Sequence, residues 1–132
     1  MKYTGTVLEL GTTDAYNRKF KEDCEVTYPK SVPVALEFCS NNSEKVFGMA
    51  TLKQINNKII AEADLDPIIL ERCGYSTSDK LYVFPFCNCN PGTDYENKTR
   101  RIPIYKARLL EICIFKLRDG ADESLYLVKS EE

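Results

Sequence analysis

Val46-Phe-Gly48-Met-Ala50-Thr-Leu52-Lys-Gln-Ile55-Asn56-Asn57-Lys58-Ile59-Ile-Ala61-Glu62-Ala63-Asp64-Leu65 is the stretch that decides the fold class. Its hydrophobic period is two. Val46, Gly48, Ala50 and Leu52 share one face of a first strand, and Ile59, Ala61, Ala63 and Leu65 share one face of a second. Asn56-Asn57 stands between them, and asparagine tolerates positive φ and bonds its own backbone, so the two runs read as a hairpin with a polar tip over Lys53 to Lys58. Small residues on the shared face permit close packing. Glu62 and Asp64 fall on the opposite face, the spacing at which two acids can share a proton in catalysis, but a solvated β face accounts for them better.

Working outward, strand signals dominate. Tyr3 to Leu10 alternates Thr and Gly with apolar residues and ends in the turn formers Gly11-Thr-Thr-Asp-Ala-Tyr-Asn. Residues 20 to 31 mix charge with Phe20, Val26 and Tyr28, and Pro29 breaks that run before a compact apolar stretch that predicts a buried strand near 32 to 39. Asp66-Pro67 offers an N-cap with proline at the first helical position, and Gly74 a stop, outlining one short helix over Ile68 to Arg72. Lys80 to Cys87 reads as a strand in which Pro85 demands an edge, a bulge or the strand's end. Asn88 to Arg101 reads as a long polar loop, Ile102 to Leu117 as a long strand segment, and Ser124 to Val128 as a last short strand after Asp119-Gly120. The expectation is a single mainly β domain over residues 1–132, a small antiparallel barrel or sandwich of six to eight strands with one short helix.

Composition narrows the chemistry. A chain of 132 residues buries about two-thirds of its extended surface on folding, enough for one core. Lys and Arg total 18 against 20 Asp and Glu, so no cationic excess argues for nucleic acid as a partner. No apolar run approaches membrane-span length. The chain has no histidine, which excludes Ser-His and Cys-His catalytic pairs and any histidine-based zinc site. Six cysteines follow an N-terminal stretch without an apolar signal core, and several sit inside apolar runs, so free thiols in a reducing cytosol are expected.

Three motifs invite function. Cys87-Asn-Cys89 places two thiolates close together, but neither a second close pair nor a histidine completes a zinc set, and two strand-end thiols are the better reading. The Asn88 to Arg101 loop carries Asp94, Tyr95, Glu96, Lys98, Arg100 and Arg101 and is long enough to bind a partner; Asn41 to Lys45 is a second polar candidate. Asn97-Lys98-Thr99 matches a glycosylation acceptor, which means little without a secretion signal. No catalytic, metal or cofactor residue is assigned, and no cofactor is expected.

Taken in order, the segments resemble the prohead protease family of tailed bacteriophages, the serine proteases that mature capsids. Gly11-Thr-Thr-Asp14-Ala-Tyr16 is similar to that family's turn after the first strand. Pro33-Val-Ala-Leu-Glu-Phe38 is similar to its proline-led strand, and Val46-Phe-Gly48-Met-Ala50 through Leu65 to its hairpin. Leu109-Leu-Glu111-Ile-Cys113-Ile-Phe115 resembles the family's Leu-x-Glu-Val-Ser-Leu-Val strand, with Cys113 where serine is usual. The likeness spans roughly residues 3 to 128 and rests on collinear order.

The departures decide what the resemblance implies. The family's catalytic histidine falls on Phe38 here, or on Cys39 one position later, and its catalytic serine on Val83 of Tyr82-Val-Phe-Pro85-Phe86. Glu111 keeps the place of an acidic third member, but an acid alone activates no nucleophile. The implied protein is a prohead-protease-like scaffold without protease chemistry. It would be a non-enzymatic virion protein, an auxiliary, decoration or assembly component of the capsid, assembled in the host cytoplasm. Its partners would be the major capsid protein or other virion proteins, not nucleic acid or membrane, and its exposed loops would carry the binding through many weak contacts. Two alternatives stand: a divergent protease using the thiol of Cys39 or Cys113, and a host-encoded binding module of unknown ligand.

Overall fold

In the computed structural model, β4 (Val46–Ile55) and β5 (Lys58–Leu65) form the expected hairpin, in register from Gly48 opposite Leu65 to Ile55 opposite Lys58. Asn56 supplies the turn with a φ of 55°. The structure describes residues 1–13, 18–37, 39–90, 103–117 and 124–130. Ala50, Ile59, Ala61, Ala63 and Leu65 are buried on the hairpin's inner face. One inner residue escapes the alternation. Phe47 belongs to the outward set by parity, yet it is buried, because the register against β3 (Val32–Leu36) jumps from Val34 opposite Gly48 to Ala35 opposite Val46. Gly48 beside it has no room for a Cβ, which would collide with the Asp64 carbonyl.

The remaining strands are β1 (Lys2–Glu9), β2 (Phe20–Thr27), β6 (Leu81–Asn90), β7 (Ile104–Ile114) and β8 (Tyr126–Lys129). Their order β7-β3-β4-β5-β1-β8-β6 returns to β7 through the β6–β7 pairing and closes a seven-stranded barrel, with β2 added alongside β7. The molecule is mainly β with one short α-helix among the described residues, and a 3-10 turn at Ser43–Lys45 adds a single tight turn.

β7 is the hub, and it departs from a purely antiparallel barrel. Along one edge it pairs antiparallel with β6; along the other it pairs parallel with β2 and then with β3. Parallel pairing needs a long crossover, which the hairpin, helix and β6 between β3 and β7 provide. β2 lacks a readable period because Phe20 faces Ile104 while Glu25 faces Lys106. Its backbone bulges there, leaving Lys21, Glu22 and Asp23 all exposed.

The core fills the barrel with apolar side chains, Tyr3, Phe20, Phe47, Leu81 and Val83 among them, and among the described residues no charged side chain is buried. A bulge in β1 turns both Val7 and Leu8 inward. The helix α1 (Pro67–Arg72) follows its sequence signals: the Asp66 carboxylate accepts from the Ile68 amide at 2.8 Å, and Gly74 takes a φ of +87°. Leu70 anchors α1 in the core.

Pro85 lies inside β6, buried and opposite Ile112. The Phe115 amide donates to the Tyr82 carbonyl at 3.0 Å, so by alternation the backbone of Pro85 turns away from β7. β8 pairs with β6 at Leu81 and Tyr82, and the last bond on that side runs from the Val83 amide to the Leu125 carbonyl at 3.1 Å, so no ladder bond is lost at the proline. Its carbonyl instead accepts from the Arg18 guanidinium at 2.9 Å.

Candidate functional site

The positions singled out by the family resemblance converge on the wall where β3, β6 and β7 meet. Successive cross-strand pairs there are Val83 with Ile114, Phe84 with Cys113, Pro85 with Ile112, and Phe86 with Glu111. Side chains on a strand alternate faces, so Val83 and Glu111 lie on opposite sides of the wall. Val83 is fully buried in the barrel core. Glu111 is outside, half-buried, and accepts a hydrogen bond from the Ser40 hydroxyl at 3.2 Å.

On this outer face the wall carries a second apolar layer. Ala35, Phe84 and Cys113 are buried without belonging to the barrel's inner cluster, and the rings of Phe84 and Phe115 lie 5.7 Å apart. Phe86 remains 38% exposed at its rim, next to Glu111. The thiol candidates separate here. Cys113 is buried at 2% exposed, whereas Cys39 is half-buried just before Ser40. Phe38 lies outside the described residues, as do Asp14, Tyr16, residues 91–101 and Asp119-Gly120.

The other motifs resolve individually. Glu62 and Asp64 both face outward and meet cations rather than each other: Lys53 lies 3.5 Å from Glu62, Lys2 lies 3.4 Å from Asp64, and the terminal amine lies 2.9 Å from Asp64. The hydrogen bond from that amine, and then the charge of Lys2, hold the Asp64 carboxyl below its ordinary range. Asn88, Cys89 and Asn90, expected at the start of the long loop, instead extend β6. The loop reading was drawn to their polarity, but Asn88 and Asn90 are the exposed members of a strand whose Cys87 and Cys89 pack against the core. In the Asn41 to Lys45 stretch, Asn42 caps the 3-10 turn by accepting from the Glu44 amide at 3.1 Å.

Two groups escaped the sequence reading. Cys24 and Cys89 stand on strands flanking β7, and burial, followed by the charge of Cys89 and then of Asp23 and Glu25, pushes the Cys24 thiol up to about 11. All six cysteines are free, and among the described residues no set of three or more thiol or carboxylate side chains is placed to hold a metal. Tyr75 buries its hydroxyl without a hydrogen-bond partner; burial, then Cys73 and Glu37, pushes it up to about 12. The Cys24–Cys89 pairing leaves no local signal, because it joins residues far apart in the chain. Comparison of the chain with family models, with curated proteins and with solved structures finds no match.

Proposed function

We propose that this chain is a non-enzymatic component of a tailed-phage head, an auxiliary, decoration or assembly protein built on a prohead-protease-like scaffold. The observation that supports the non-enzymatic part of this reading is the placement of Val83 inside the barrel and Glu111 outside it; the head-protein part rests on the family resemblance alone. A nucleophile and the acid that orients its base must meet on one solvent-facing surface, and the positions that would hold them face opposite ways. A barrel filled with apolar side chains supports a rigid body whose outer surface does the work. The outer patch of Ser40, Phe86 and Glu111 is then a contact surface for the major capsid protein or another virion protein. Individually weak contacts suffice, since a symmetric shell repeats them many times.

Mass spectrometry of purified proheads and mature heads from the source phage tests the proposal. The expected result is this chain in at least one of the two at a fixed ratio to the major capsid protein. Its absence from both, or cleavage of capsid precursor by the purified chain, overturns the proposal.

A further inference from the structure

We draw no further inference here: the strongest candidate, the open groove between α1 and residues 74–77 with the exposed side chains of Ile68 and Glu71 on its wall, carries nothing because nothing in the structure shows what covers it.

Discussion

β2 and β3 lie on the same edge of β7, point the same way and differ in almost everything else. β3 is bonded on both sides, to β7 and to β4, and Val32, Val34 and Ala35 are all fully buried. β2 is bonded on one side along most of its length, bulges through Lys21, Glu22 and Asp23, and buries only Phe20 and Cys24. A strand closed in by two neighbours and a core reads as a continuous apolar run, whereas a strand with one neighbour mixes charge with apolar anchors. The wall thus has a dry half and a wet half, and the difference is measurable.

The largest contrast comes from placing the same charge in each half. Val34→Asp buries an unpaired carboxylate between two strands, with an expected loss of about 4 kcal/mol in chemical denaturation. Val26→Asp places it on β2 at a half-buried position, where water reaches it, with an expected loss of about 1 kcal/mol. Comparable losses would erase the distinction between the halves. A smaller contrast comes from the backbone. Gly48→Ala drives a methyl into the Asp64 carbonyl and forces β4 from β5, costing about 3 kcal/mol. Gly11→Ala, at a φ of +82° with only ordinary van der Waals contact to Glu22, costs about 1 kcal/mol of conformational strain.

The same division governs what could be read from the chain. The β4–β5 hairpin, β3 and the capped helix are legible because each follows a local rule: period two, an apolar run, or Asp-Pro before and Gly after. β2 is hidden because its bulge destroys the period, and the burial of Phe47 is hidden because a one-residue bulge reverses parity. The parallel partners of β7 carry no local mark, since strand direction is settled by connections more than sixty residues long. For the site, the resemblance assigns Val83 and Glu111 to two separate strands of a family pattern, and nothing local says that they face opposite sides of one wall. The Ser40–Glu111 hydrogen bond, between residues brought together only by the β3–β7 pairing, was beyond its reach.

Alkaline titration sharpens the comparison from the wet half. Cys24 has an ordinary value near 9 in the open chain and about 11 when folded, so folding favours the protonated thiol. The stabilisation is complete below about pH 9 and is lost as pH rises towards about 11, on the order of 2 kcal/mol. Urea denaturation at stepped pH measures the slope, and Cys24→Ala flattens it in that window. A slope unchanged in Cys24→Ala would place the titrating group elsewhere.

The smallest effect probes how dry the dry half is. Tyr75 sits edge-on to the ring of Phe47, 6.2 Å between centroids, with the Lys116 ammonium over its own ring and its hydroxyl buried without a partner. An orphan hydroxyl loses its hydrogen bonds to water on folding and gains none back, so deleting it removes a cost rather than a contact. Tyr75→Phe is therefore expected to leave the protein as stable as before or more stable by up to about 1 kcal/mol at neutral pH. It also removes the loss of stability between about pH 10 and 12 that follows from a phenol raised to about 12 in the fold. A destabilisation of more than about 1 kcal/mol would mean that a water reaches the hydroxyl and bonds it, and that the closed half admits solvent where its apolar packing implies none.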